Sequence, residues 1–202
     1  MKKIKEEILK ILNFPSCIYN KFVLLRRRIS AGKKITIWGR LDVHGGGHIS
    51  IGNNCVIVSN SSRNPVGGGN RQTIFFVGKN GHLNIGCNVA MTNTAISCKT
   101  RVIIGDNVMI GANVKIYDTD FHSINFESRI TRPDPDIRSL PVEIKDGAFI
   151  GAHSIILKGI IIGKESVVGA GSVVSKSIPD GEIWGGNPAK LIRKLGTDSP
   201  KK

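Results

Sequence analysis

Aromatic residues are scarce in this chain, 5% of the total, although 40% of its residues are hydrophobic. A core drawn almost wholly from aliphatic side chains suits a thin, stacked architecture better than a wide one. Few aromatics interleave with the basic residues either, which argues against a stacking platform for single-stranded nucleic acid. Acidic residues are also in deficit: 15 Asp and Glu stand against 29 Lys and Arg, leaving a net charge of +14. Such an excess implies an anionic partner, whether cofactor phosphates, a membrane surface or nucleic acid. Long apolar runs are missing. No stretch approaches the ~18 residues that span a bilayer, and charges break every apolar run near the N-terminus, so no signal peptide is expected. Cys17, Cys55, Cys87 and Cys98 form no CxxC pair and no metal-type spacing, which suits reduced thiols in a cytoplasm. One domain with its own core is the default at this length.

What the chain has in abundance is a period of six. From Ile144 onward every sixth residue is a branched aliphatic: Ile144, Ile150, Ile156, Ile162, Val168 and Val174. Gly151, Gly163 and Gly169 directly follow three of these, and Ala148, Ser154, Ser166 and Ser172 sit four places after a head residue. Neither a helix of period 3.6 nor a strand of period 2 sustains this spacing. It fits a parallel β-helix in which each six-residue unit supplies one short strand and one corner. The aliphatic heads then stack inside, and glycine at the corner is expected to tolerate angles that a Cβ forbids. Ile51-Gly52, Ile85-Gly86, Ile104-Gly105 and Ile110-Gly111 carry the same register upstream. The period fails between Ile116 and Ile144, so a loop over roughly 118–143 leaves the coil and returns. A first excursion is read over 60–72, around Pro65 and Gly67-Gly68-Gly69.

The flanks differ in kind. Residues 1–34 hold ten Lys and Arg against Glu6 and Glu7 alone. Ile4, Ile8, Ile11 and Leu12 fall on one helical face, Pro15 is expected to stop that helix, and a second segment runs from Ile18 to Arg28. This arm either caps the open end of the coil or lies on an anionic membrane surface, and the two are compatible. The coil itself is assigned to 35–184. Residues 185–202 leave it through Gly185-Gly186-Asn187-Pro188 into a basic tail, expected to be a short helix, with Lys190, Arg193, Lys194, Lys201 and Lys202.

His122 is the first candidate for chemistry. An imidazole takes a hydroxyl proton at neutral pH, and this one stands where a regular scaffold yields to an irregular loop. Asp118 and Asp120 are placed to orient the ring or hold an acceptor. Lys115-Ile116-Tyr117 through His122, then Pro141-Val142, then the Gly-Asn-Pro-Ala-Lys run at 186–190 resemble the hexapeptide-repeat acyltransferases. They are most similar to the galactoside and maltose O-acetyltransferases and those of bacterial surface polysaccharides. The resemblance implies an all-β, left-handed parallel β-helix. The left hand comes from it alone, since crossover chirality favours the right.

The resemblance further implies acetyl-CoA as co-substrate, no metal, a sugar or glycan acceptor, a homotrimer and a cytoplasmic location. His122 would be the general base, Asn93 would help bind the acceptor, and the Ala152 backbone N–H would face the oxyanion. Pantetheine would run past Gly151, Ala170 and Ser175, with Lys176, Lys190 and Arg193 meeting the phosphates. Two departures stand out. Phe149 replaces a frequent tryptophan beside the acceptor, and Ser123 replaces a proline after the histidine. Rival readings are N-acetylation of an amino-sugar nucleotide, a non-enzymatic structural trimer, and a γ-type carbonic anhydrase with zinc. For the last, His44, His48, His82, His122 and His153 lack the expected spacing.

Overall fold

A computed structural model describes residues 2–60, 63, 66 and 72–196, with the backbone alone for 2–12. Twenty short strands form three sheets. The first holds β1 (Ser30–Ala31), β4 (His48–Ile51), β7 (His82–Ile85), β10 (Arg101–Ile104), β13 (Val142–Ile144) and β16 (Ile161–Ile162). The second holds β2 (Thr36–Gly39), β5 (Val56–Ser59), β8 (Ala90–Thr92), β11 (Met109–Ile110), β14 (Phe149–Ile150), β17 (Val167–Val168), β19 (Glu182–Gly185) and β20 (Lys190–Lys194). The third holds β3 (Asp42–Gly45), β6 (Ile74–Val77), β9 (Ala95–Cys98), β12 (Lys115–Tyr117), β15 (Ile155–Ile156) and β18 (Val173–Val174). From β1 to β18 consecutive strands fall in different sheets, and every third strand pairs in parallel with the one below. Phe149 therefore pairs with Val167, and Ile155 with Val173, three six-residue units later.

The head residues do what their period demands. Ile104, Ile144 and Ile162 stack under the first sheet, Ile110, Ile150 and Val168 under the second, and Ile116, Ile156 and Val174 under the third, all buried. The corners, by contrast, correct the role expected for glycine. Left-handed backbone falls three places after a head, at Asn54, Asn88, Asn107, Asn113, His153 and Glu165 and at Gly147, Gly159 and Gly171, not at the glycines that directly follow the heads. Asparagine tolerates that region through its short polar side chain. Gly105, Gly151 and Gly163 are needed for another reason. A Cβ on Gly163 would lie 2.4 Å from the Asp180 nitrogen, and one on Gly151 2.5 Å from that of Ala170. Successive corners touch backbone to backbone, and only a missing side chain permits it.

The N-terminal arm is one helix, α1 (Lys2–Arg26), with Pro15 inside it rather than two segments parted there. Proline removes one intrahelical bond, but anchors on both sides of it hold the helix across the gap. The Asn13 amide donates to the Ile37 carbonyl and accepts from the Gly39 N–H, while Asn20 donates to the Gly39 carbonyl and accepts from the Leu41 N–H. These groups lie on the free edge of β2, which otherwise pairs only with β5. The coil begins at β1, inside the stretch read as helical. The side chains of Ile4, Ile8, Ile11 and Leu12, and most of 60–72, lie outside the described residues.

At the other end the expected helix is a strand. β20 folds back antiparallel on β19, Glu182 pairing with Lys194 and Gly185 with Lys190. Pairing the last open edge satisfies more backbone than a helix of five residues would. Among the described residues no helix is long and apolar enough to cross a membrane.

Candidate functional site

The long loop is anchored at its root by Asp118. Its buried carboxylate accepts from the backbone N–H groups of Lys99 (2.7 Å), Thr100 (2.6 Å) and Arg101 (3.0 Å) and from the Thr100 hydroxyl (2.9 Å). These bonds tie Asp118 to the turn between β9 and β10, whereas the sequence reading has it orient the ring or hold an acceptor. The loop's two ends zip together through Thr119 and Ser139, with the Leu140 N–H donating to the Asp118 carbonyl.

Asp120 sits one step further out, paired with the Lys158 ammonium at 2.6 Å, both about three-quarters buried. Phe121 then takes φ +64 and packs edge-on against Tyr117, with ring centroids 5.2 Å apart. The His122 N–H closes back on the Asp120 carbonyl at 2.7 Å. A bulky residue at positive φ costs energy, and here it turns the chain so that His122 reaches solvent. A cavity of about 600 Å³ opens beside it, lined by Asp120, Ser123, Asn125, Asp136 and Arg138 among others. Nothing in the sequence marked Lys158, because its partner Asp120 stands 38 residues earlier, in the loop.

Asn93, Phe149, Ala152, Gly151 and Ala170 gather elsewhere, along the corner between the second and third sheets. Phe149, half-exposed, stands beside Met109 on the second sheet, and an apolar groove of about 340 Å³ runs over Val56, Thr92, Met109, Phe149 and Ala152. Asn93 follows Thr92 at φ +45, fully buried, and neither atom of its amide has a hydrogen-bond partner. A buried amide without partners is expensive.

The two glycine-rich corners of the coil also differ in chemistry. Between the first and second sheets, the residue after each corner glycine gives its N–H to a side chain: Cys87 to Asp106, and Lys164 to Asp180. Between the second and third sheets the same place is filled by Ala112, Ala152 and Ala170, whose N–H groups donate to nothing among the described residues. A row of backbone donors therefore runs along this corner on small alanines, with Asn113 and His153 as the next residues of two of its turns.

At the end of that corner the 186–189 turn is fixed by the Val173 N–H donating to the Gly186 carbonyl and the Ala189 N–H donating to that of Val173. It closes a cavity of about 330 Å³ that brings Ser175, Lys176 and Lys190 together with Trp184. The indole N–H is held by Glu182 at 2.8 Å. Trp184 had no role in the sequence reading, and Arg193 pairs with Ile183 along the hairpin outside this lining.

One chain does not unite these parts. The His122 loop leaves the far end of β12, whereas Ala152 and Asn93 precede the near ends of β15 and β9. The third sheet lies between. Among the described residues no three His, Cys, Asp or Glu side chains are grouped as metal ligands. His48 and His82 stack face to face at 5.0 Å, and His44 pairs with Asp42 at 2.9 Å.

Residues 101–116 and 141–176 match the family model described as the hexapeptide repeat of succinyl-transferase. The galactoside O-acetyltransferase of Escherichia coli K12 is 38% identical over 115 residues, 56% of this chain and 55% of that protein. A mitochondrial protein of Arabidopsis thaliana, gamma carbonic anhydrase 2, is 30% identical over 181 residues, 88% of this chain and 52% of its own length. The chain thus spans about half the length of these curated relatives. Among solved structures, a variant of AntD, an N-acyltransferase from Bacillus cereus in complex with dTDP and coenzyme A, superposes with a TM-score of 0.65. It is 25% identical, and the match covers 83% of this chain and 84% of that one. The chain carries the hexapeptide repeat of that family model and is similar to these acyltransferases, and its three-sheet coil is a left-handed parallel β-helix.

Proposed function

We propose that this protein is an acetyl-CoA-dependent O-acetyltransferase acting on a sugar hydroxyl, serving bacterial surface polysaccharide synthesis in the cytoplasm or at the inner membrane face. The observation that carries the reading is the alanine corner. Free N–H groups of Ala112, Ala152 and Ala170 suit the amides of a pantetheine arm, and the run ends at a cavity with two lysines and an indole. Lys176 and Lys190 then meet phosphates as point charges, and Trp184 offers a flat wall to the adenine.

His122 serves as the base. A general base must lie within hydrogen-bond reach of the proton it takes, and in one chain the third sheet keeps His122 away from the Ala152 N–H. A homotrimer resolves this, with His122 of one subunit facing the Asn93 and Ala152 corner of the next. The acceptor hydroxyl loses its proton to the imidazole as its oxygen attacks the thioester carbonyl. The Ala152 N–H steadies the tetrahedral oxygen, and the CoA thiolate leaves. Phe149 walls the acyl side, and Asp120 lines the acceptor cavity. The likeness to an N-acyltransferase keeps an amino-sugar acceptor as the second reading.

The test is thiol release from acetyl-CoA across free sugars, amino sugars, nucleotide sugars and lipid-linked glycans. Hydroxyl acceptors should respond. His122→Ala should lower turnover by roughly 10²- to 10⁴-fold while CoA affinity, measured calorimetrically on the same preparation, persists. Turnover within a few-fold of wild type would remove His122 from the mechanism.

A further inference from the structure

The second half of α1 has two faces of opposite character. Asn13, Asn20, Val23, Leu24 and Arg27 address the coil: the two amides bond to β2 and Leu41, the two aliphatics pack on the core, and Arg27 donates to the Gly45 carbonyl at 2.8 Å. On the opposite side Phe14, Ile18, Phe22 and Leu25 follow one another at helical spacing. Their exposures are 63%, 57%, 58% and 79%. Four large apolar side chains in one stripe, turned away from the coil's core, are a face without a partner among the described residues.

The charge around the stripe is of one sign. Between residues 13 and 28 there is no Asp or Glu, and Lys21, Arg26, Arg27 and Arg28 are all basic. The three arginines border a hollow of about 200 Å³ shared with His44, Gly46 and Gly47. Arg28 holds φ +51 in the helix-ending turn, where the Ile29 N–H reaches the Leu24 carbonyl and the Arg28 N–H that of Leu25. Glycine is the usual residue at that place because it fits without strain. An arginine there adds a guanidinium to that of Arg26 at this end of the helix, at the cost of that strain.

We infer that this face of α1 docks on an anionic bilayer surface, with Phe14, Ile18, Phe22 and Leu25 sinking among the acyl chains. Arg26 and Arg28 meet lipid phosphates. The apolar stripe supplies the burial and the basic border the electrostatic attraction that interfacial helices combine. A second copy of the chain fits the face less well, because a two-fold contact would bring the same acid-free basic border against itself. The inference rests on the reading above insofar as a lipid-linked glycan lies on such a surface. Docking would hold the acceptor site near it.

The experiment is co-sedimentation of the full chain with vesicles of phosphatidylcholine alone, and with vesicles containing about one-quarter phosphatidylglycerol. Binding is expected to the anionic vesicles and to weaken as salt shortens the screening length from about 10 Å at 0.1 M to about 3 Å at 1 M. The double variant Phe22→Ser, Leu25→Ser should lose at least about tenfold in partitioning with an unchanged melting temperature, since both side chains are exposed. Arg28→Gly should bind about fivefold more weakly yet melt no lower, because the positive φ suits glycine. Equal binding to both vesicle types overturns the proposal, as does wild-type partitioning by the serine variant. A fall in that variant's assembly mass by light scattering also overturns it, because the stripe would then be a subunit contact. Thiol release with a soluble acceptor is read in parallel. Vesicle binding without acyl transfer would defeat the enzymatic reading alone, and transfer without binding would defeat this one alone.

Discussion

Replacing Asp118 by alanine distinguishes a scaffold residue from a substrate-binding one. Its buried carboxylate accepts four hydrogen bonds of 2.6 to 3.0 Å, three of them from consecutive backbone N–H groups. Each bond to a charged acceptor is worth about 1.5–3 kcal/mol, and a buried donor left unpaired costs about 1–3 kcal/mol. The four act as one unit and water regains part of the loss, so the expected destabilisation is about 3–5 kcal/mol. In a chain of this size each kcal/mol moves the melting temperature by roughly 2–4 °C, which gives a fall of about 6–20 °C. Asp118→Asn keeps one acceptor oxygen but turns an NH₂ toward an N–H, and should fall between the two. Melting is followed by circular dichroism at one protein concentration, and acceptor saturation is measured well below either transition. KM for the acceptor should stay within about twofold, because the Asp118 carboxylate is fully buried against the β9–β10 turn. An unmoved melting temperature together with a tenfold rise in KM would refute the reasoning and return Asp118 to the acceptor site.

Three further outcomes follow from the corners and the core. Gly163→Ala should destabilise by about 1–3 kcal/mol through overpacking, because its Cβ would meet backbone at 2.4 Å, and urea midpoints measure this directly. Glu165→Gly should shift the midpoint the other way by up to about 1 kcal/mol, since Glu165 holds φ +57. The Cys98 thiol is pushed from its ordinary 9.0 up to about 12, first by burial and then by the Asp118 charge. A raised folded value means that its contribution to stability is complete below pH 9 and is lost between about pH 9 and 12. Cys98→Ala should therefore flatten the decline in stability across that interval, and an unchanged slope would count against the shift.

The period of six was decisive because it is a local property. A head residue every sixth place fixes an interior, a corner and a parallel pairing three units on, whatever the rest of the chain does. From it came the stacked Ile and Val core, the site of the long loop, and His122 at that loop's mouth. The mouth is visible in sequence because there the period stops.

Tertiary structure decided everything that depends on which residue of one coil meets which residue of the next. Asp118 reads as a candidate ligand until the stacking sets it against the N–H groups of Lys99, Thr100 and Arg101. Gly163 reads as a conformational need until the next corner's backbone arrives at van der Waals distance. Pro15 reads as a helix stop until Asn13 and Asn20 tie both sides of it to one strand edge. Lys190 to Lys194 read as helical until the open edge of β19 claims them. In each case a long-range hydrogen bond or backbone contact outweighs a local preference of about 1–3 kcal/mol.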